Sequence, residues 1–490
     1  MEFPLLSLIV FTPAVAGMII LALPAQRLGW IRGVALAAAS LALGLSAWAY
    51  IAYDRAAAGY QFVERIPWVP ALGISYHVGA DGMNLPLVLL TGVVMFTGVL
   101  ISWGLDDRPR EFFAFLFVLA TGVFGVFVAL DLFHLFFFYE IAVFPMYLLI
   151  AIWGWKVTRE YAAMKLTLYL FIGSVVALVG ALAMVFSSGM NTFDLLELER
   201  AGFSASFQVF WFPFVFLGFA VLGGLFPFHN WSPDGHVAAP TAVSMFHAGV
   251  LMKLGAFAAL RVGIMLLPEG AQHWAPWIIA LATVNVVYGA FIAMVQTDFK
   301  YVIGFSSVSH MGLVMLGFAT LNRQGLTGAG LQMFSHGVMT ALFFAVVGMV
   351  YDRAHTREIP QLGGLARAMP LVAFAFIVGG LVSMGMPGFS GFVAEFPIFM
   401  GLWQAAPAAA IVAALGIVIT AAYIMRVVGR VFFGKMPQEF EGHITPINAG
   451  DKLALVVLTT ILIVLGVYPA VMAPLVESGA GAVLRLLGGA

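Results

Sequence analysis

Runs of about twenty apolar residues, the length a helix needs to cross the hydrocarbon core of a bilayer, recur along this chain from one end to the other. A backbone in lipid must satisfy its own N–H and C=O groups, so such runs fold as helices or not at all. Of the 490 residues, 62% are hydrophobic and only 9% charged, which makes lipid the solvent of the fold. The chain therefore reads as an all-α polytopic membrane protein with about fourteen transmembrane helices. The spans that matter most are expected near 131–153 (fifth), 161–186 (sixth), 207–228 (seventh), 240–266 (eighth), 300–321 (tenth), 327–351 (eleventh) and 369–399 (twelfth). The first apolar run has no basic stretch before it and no A-x-A site after it, so it is read as a retained helix and not a signal peptide.

Composition removes several kinds of function. A net charge of −1 without a long basic or acidic run argues against nucleic acid as a partner. The absence of cysteine rules out disulfides, cysteine zinc sites and thiolate-held iron–sulfur clusters within this chain. Its longest polar connections, Asp54 to Gly79 and Thr192 to Ser206, are too short to form a nucleotide- or flavin-binding domain, and no glycine-rich phosphate loop follows a strand pattern. Electron chemistry, if the chain serves any, belongs to partner subunits.

Lys and Arg collect in alternate connections. One set holds Arg27, Arg32, Arg108, Arg110, Lys156, Arg159, Lys300, Arg353, Arg357, Arg367, Arg430, Lys435 and Lys452; the opposite set holds Arg55, Arg65, Arg200, Arg261, Arg323 and Arg485. The positive-inside rule then puts the richer set in the cytoplasm and both termini outside, and the even number of spans agrees with this.

Two spans are interrupted by Gly and Pro deep in apolar sequence, at VLGGLFPFHNWSPDGH (Gly223 to His236) and SMGMPGFSGFVAEF (Ser383 to Phe396). Irregular backbone at membrane depth is tolerated only where it is buried in protein or lines a cavity, and paired interruptions point to inverted repeats with a site at each break. The expected organisation is three N-terminal helices (1–110), two inverted five-helix half-channels with broken seventh and twelfth helices (111–266 and 275–433), and a C-terminal helix (434–490).

Ionisable residues inside these spans are the candidate functional groups, because charge at membrane depth is costly and usually faces a protein interior or a wet cavity. Glu140 in FHLFFFYEIAVFP and Glu395 beside the second break are the strongest, with a structural ion pair as the alternative. Lys253 in SMFHAGVLMKLGAF suits proton exchange if buried, or snorkels to an interface. His247 precedes it by six residues, about 120° around a helix, so the two need not share a face. His310 in FSSVSHMG and His336 in LQMFSHGVMTALFF suit a proton relay with Ser306, Ser309 and Thr340, or make core hydrogen bonds. Lys165, one turn into its helix, either snorkels or faces Glu140. His229, Asp234 and His236 read as capping groups of the broken helix, and Asp81, Asp131 and His134 as ordinary interfacial residues.

Taken in order, GADGMNLPLVLL (79–90), FFFYEIAVFPMYLLI (136–150), FPFHNWSPDGHVAAPTAVS (226–244), AGVLMKLGAF (248–257), VQTDFKYVIGFSSVSHMG (295–312), YDRAHTREI (351–359) and GMPGFSGFVAEF (385–396) resemble the antiporter-like subunits of respiratory complex I, nearly end to end. The form is most similar to subunit M of the bacterial NADH-quinone oxidoreductase, the type of mitochondrial subunit four. The resemblance implies a fourteen-helix core with a hydrophilic axis through Glu140, Lys165, Lys253, His310, His336 and Glu395, with His247 matching a histidine of related subunits. It also implies no cofactor in this chain, with flavin, iron–sulfur clusters and quinone in partner subunits. The partners implied are other membrane subunits, neighbouring antiporter-like ones among them, and lipids.

One position departs from the pattern. Where the family usually has a lysine just before the break of the seventh helix, in a segment like AVKxPxxPFH, this chain reads AVLGGLFPFH and has Leu222. The usual partner of Glu140 is therefore missing. The expected function is proton translocation in a complex I-type oxidoreductase of the bacterial plasma membrane. The alternatives are a subunit of a multisubunit sodium/proton antiporter, a subunit of an energy-converting hydrogenase, or a spacer whose polar axis no longer conducts.

Overall fold

The computed structural model describes residues 3–57 and 59–488. Every apolar run longer than a few turns is helical: α1 (Leu5–Ala22), α2 (Leu28–Ala52), α3 (Leu85–Ile101), α4 (Pro109–Val128), α5 (Leu132–Trp153) and α6 (Arg159–Ser187) come first. After a short turn of helix, α7 (Leu195–Leu198), the seventh span is divided into α8 (Ala205–Leu222) and α9 (Trp231–Ala238). The eighth runs as α10 (Thr241–Phe246) and α11 (Met252–Ala258) joined and followed by π-helical turns at His247–Leu251 and Ala259–Ile264. Then follow α12 (Pro268–Val295), α13 (Phe299–Ala319), α14 (Arg323–Ala354) and a short α15 (Leu365–Ala368). The twelfth span is α16 (Pro370–Ser383) plus α17 (Ser390–Ala405); α18 (Pro407–Val427) and α19 (Ala449–Val467) complete the set. Among the described residues, thirteen helices are long and apolar enough to cross a membrane, and the broken pair α16–α17 makes the fourteenth crossing.

Two elements lie outside this set. The polar connection after α2 folds as an antiparallel hairpin, β1 (Gln61–Val69) and β2 (Ile74–Ala80). Glu64 of β1 accepts from the first backbone amides of α1, Leu6 (2.9 Å) and Ser7 (3.1 Å), where a helix start favours a carboxylate. After α19 comes an amphipathic helix, α20 (Ala473–Leu486), packed on the same side of the molecule as the hairpin, with Gly479 against Gly82 and Met83.

Both helix breaks fall where glycine and proline interrupt the sequence. At the first, Gly224 adopts φ +74°, and Asn285 of α12 supplies the hydrogen bonds that the unwound backbone loses: its Oδ1 accepts from Phe226 N (2.6 Å) and its Nδ2 donates to Gly224 O (3.0 Å). Trp231 Nε1 donates to Val221 O (3.0 Å). At the second, Gly385 (φ +62°) and Gly388 (φ +91°) make the turn, and Ser390 at the start of α17 is held by Ser335 of α14 (2.8 Å). Burial sorts the helices: the eighth span and α14 are enclosed along their whole apolar length, while α1, α2 and α18 present most of theirs to the outside. The two fully enclosed helices carry His247, Lys253 and His336.

Candidate functional site

The eighth span and α9 bring three titratable groups into one interior. Lys253 is completely buried, and its ammonium finds only a main-chain acceptor, Ala248 O, exposed by the π-helical turn before it. His247, in that turn, stacks on Trp231 of α9 (5.1 Å between ring centroids) and lies 4.1 Å from the ring of His236. The widened turn thus sets His247 toward α9. His236 is more than a cap. Its Nε2 pairs with Ser232 Oγ one turn back (2.9 Å), its Nδ1 has no protein partner, and neither nitrogen of His247 has one.

Across the interior, His336 of α14 is also fully enclosed with both nitrogens unpartnered, and its ring stands 5.3 Å from that of His310 on α13. His310 joins the second break: Nε2 pairs with Ser383 Oγ (2.9 Å) and Nδ1 lies 3.1 Å from Glu395 Oε1. Gln332 Nε2 donates to the same carboxylate oxygen (3.1 Å). Gly385 leaves room for the other: a side chain there would start 2.8 Å from Glu395 Oε2. Tyr423 of α18 donates to Ser306 one turn before His310 (2.8 Å).

Toward the side rich in Lys and Arg, the axis meets a cavity of about 650 Å³ whose walls include Trp155, Lys156, Lys300, Asp352 and Arg357. Lys300 Nζ reaches from it to Ala239 O (2.7 Å) and Ser244 Oγ (3.4 Å), and Ser244 Oγ donates to His236 O (2.8 Å). Polar groups therefore connect the cavity to the His236–His247 pair.

Two expected members stand elsewhere. Lys165 does not face Glu140; its ammonium pairs with Asp234 of α9 (2.7 Å), whose other oxygen accepts from Tyr301 OH (2.9 Å). Glu140 is exposed on the rim of the isolated chain. It shares one stripe of α5 with Phe133, Phe137 and Phe144, all exposed, at the spacing that places residues on one helix face. Leu222, the last residue of α8, is fully buried, so the position that lacks a lysine faces protein.

Residues read as ordinary interface groups are also organised. Asp131 is buried and receives Ser75 N (3.0 Å) and His134 N (3.1 Å), and Asp81 pairs with Arg261 (2.7 Å). Sequence reading missed Gln332, Ser383 and Lys300. Gln332 had a signal, since it sits one turn before His336 on the same helix face; Ser383 and Lys300 come to the axis only through tertiary packing.

Residues 129–420 match the model of the NADH:quinone oxidoreductase/Mrp antiporter transmembrane family. Curated relatives extend the match to the full chain: NAD(P)H-quinone oxidoreductase chain 4 2 of Thermosynechococcus vestitus is 36% identical, covering 100% of this chain and 93% of that one. The chain belongs to this family. A second relative, chain 4 1 of Synechococcus elongatus, is 38% identical over 88% of this chain and 82% of its own. Among solved structures, a chain of respiratory complex I from Thermus thermophilus superposes with a TM-score of 0.91 at 28% identity, over 99% of this chain and 100% of that one. A chain of the Mrp complex from Dietzia shares the fold, with a TM-score of 0.84 at 20% identity over the full length of both. The family model ends within α18, so α1 to α4, the hairpin, α19 and α20 fall outside the matched residues.

Proposed function

We propose that this chain is a proton-translocating membrane subunit of a complex I-type NAD(P)H-quinone oxidoreductase, with the reducing and quinone chemistry in partner subunits. The observation that carries the reading is the buried sequence of exchangeable groups, Lys253 and His247 to His336, His310 and Glu395, crossing the interior between the two helix breaks. A stable bundle has no need of five such groups at this depth, where each costs desolvation. The full-length relatives named as chain 4 of that oxidoreductase support the same assignment.

Protons are taken up from the cytoplasm through the cavity at Lys300 and pass by Ser244 and His236 to His247 and Lys253. Unpartnered ring nitrogens on His247 and His336 suit transfer through water. Transfer between the proposed half-channels, 111–266 and 275–433, runs by His336 and His310 to Glu395, with Gln332 and Ser383 fixing the carboxylate and imidazole. Glu140 has no cationic partner among the described residues and faces outward, so its counter-charge comes from a neighbouring membrane subunit, whose approach shifts the field on the axis. The chain would sit in a bacterial plasma membrane with both termini outside.

The experiment is to isolate the complex gently from its native membrane, identify the accompanying subunits, and reconstitute it in liposomes. Flavin, iron–sulfur signals and NAD(P)H-quinone activity are expected, together with fewer protons per electron for Lys253→Ala and Glu395→Gln. A redox-silent assembly of small membrane subunits would support the antiporter alternative. Unchanged pumping by both variants in an intact complex would support the spacer, the reading that Leu222 favours.

A further inference from the structure

The span that carries Lys253 continues, away from the Lys300 cavity, to a second polar site. Two turns beyond Lys253, within the π-helical segment Ala259–Ile264, Arg261 is 2% exposed and holds Asp81 Oδ2 at 2.7 Å and Tyr60 OH at 2.8 Å. Its guanidinium lies 5.0 Å from the Phe257 ring, which meets Phe127 of α4 edge-on at 5.6 Å. Beyond the ion pair opens a cavity of about 240 Å³ walled by Tyr53, Tyr60, Asp81, Glu199 and, from α20, Ser478 and Arg485. Along one helix the order is a buried amine, an aromatic contact, a buried ion pair and then a cavity holding a carboxylate.

We propose that this cavity is an outer mouth of the first half-channel, a second way out for the Lys253 proton beside its transfer to His336 and Glu395, with the Phe257–Phe127 contact and the Arg261–Asp81 pair as its closed gate and Glu199 as the group that receives the proton. The inference rests on the proton-translocating reading above. Arginine stays charged at any working pH, so Arg261 cannot relay a proton; its fixed charge between Lys253 and the cavity instead repels one and prevents leakage. A buried ion pair is weak support for stability, because desolvation offsets most of its attraction. Its position across the only polar exit from Lys253 among the described residues of this span gives it another use. When Arg261 swings away from Asp81, whose Oδ1 stays held by Met83 N and Asn84 N (2.9 Å each), the Lys253 ammonium releases its proton, becoming a neutral amine. The Glu199 carboxylate takes that proton up as a carboxylic acid and passes it to outer water. Glu199 lies in the connection before α8, where burial raises its carboxyl above the usual range against the opposing charge of Arg261, which suits a group that must hold a proton briefly.

The test uses the whole complex in liposomes and reads protons released per electron. Lys253→Ala sets the loss that belongs to this chain. Glu199→Gln is expected to lose a part of it, and Glu199→Asp to recover that part. Because the chain has no native cysteine, Ser478→Cys offers a single site in the cavity wall for a bulky, charged, membrane-impermeant thiol reagent, and blocking it is expected to lower pumping like Glu199→Gln. Loss of pumping by Lys253→Ala with full pumping by both Glu199→Gln and the blocked Ser478→Cys would overturn the outer mouth and leave the proposed function standing. Full pumping by Lys253→Ala would overturn the proposed function itself. If Glu199→Gln fails to assemble, the blocked Ser478→Cys decides the question alone.

Discussion

At the residue scale the decisive feature is which charged groups are enclosed and which are not. Glu140 and Glu395 look alike in sequence, each a lone carboxyl in an apolar span, yet Glu395 is 3% exposed and bonded while Glu140 shares an open stripe with three phenylalanines. Glu140→Gln is therefore expected to change the stability of the isolated chain by less than about 0.5 kcal/mol, the usual range for a surface change, and to lower pumping in the assembled complex. Thermal unfolding of the purified chain beside proton counting in liposomes checks both halves; a large stability loss in the isolated chain would mean that Glu140 is paired internally. That Glu140 is special was legible from depth in an apolar run. Which way it faces was not, because α5 is apolar on all sides and has no amphipathic stripe to orient it.

Outside the membrane a second carboxylate gives a pH prediction. Asp194 starts the short α7, capping Leu196 N (2.9 Å) and Glu197 N (3.3 Å), and ties the loop to the hairpin through His77 (2.8 Å) and Arg65 (3.2 Å). Burial pushes its carboxyl up, but the hydrogen bond and charge of His77, then Arg65, outweigh that and hold it below the usual range. A depressed folded value means stability that is present above the unfolded value of about 3.9 and is lost as pH falls through the lower folded one. Asp194→Asn is thus expected to cost about 1.5–3 kcal/mol near pH 7, and the gap from wild type should close below the ordinary carboxylate range. An equal gap at pH 7 and pH 3 would remove the ionised carboxylate from the account.

At the element scale, the broken helices depend on close backbone contact. Gly255 of α11 lies against the first break, where an added Cβ would come 2.4 Å from Gly223 N and 2.6 Å from Phe219 O. Both are main-chain atoms that cannot move aside, so Gly255→Ala is expected to cost at least the 1–3 kcal/mol typical of overpacking. Gly263→Ala on the same span, whose Cβ would meet nothing nearer than 3.5 Å, serves as the control. Equal melting temperatures for the two variants would contradict the packing. The breaks themselves were readable, since Gly and Pro have few other uses at membrane depth. The residue that satisfies the first one was not: Asn285 is one of several polar residues in α12, 59 positions from the amide it accepts. The π-helical turns left no mark in the sequence either, because they arise from how the eighth span packs.

At the scale of the whole molecule, fourteen crossings and the family were both legible, the first from run length and the second from ordered motifs spread over most of the chain. The hairpin and α20 were not, because each is stabilised mainly by what it covers: the hairpin fastens α1 through Glu64, and α20 roofs the Glu199 cavity. These two elements collect on one face, together with the acidic connection at Asp194, Glu197 and Glu199, while Lys156, Lys300, Arg353 and Arg357 collect on the other. On the orientation proposed from charge bias the hairpin face is the outer one, and the proposed direction of proton uptake depends on that assignment. The absence of native cysteine makes it directly measurable. Asn191→Cys, exposed in the connection before α7, is expected to react with a membrane-impermeant thiol reagent in intact cells, and Glu439→Cys, exposed in the connection between α18 and α19, only after the cells are opened. The reverse pattern would turn the molecule over in the membrane. The Lys300 cavity would then become the side of release and the Glu199 cavity the side of uptake, with the buried axis between them unchanged.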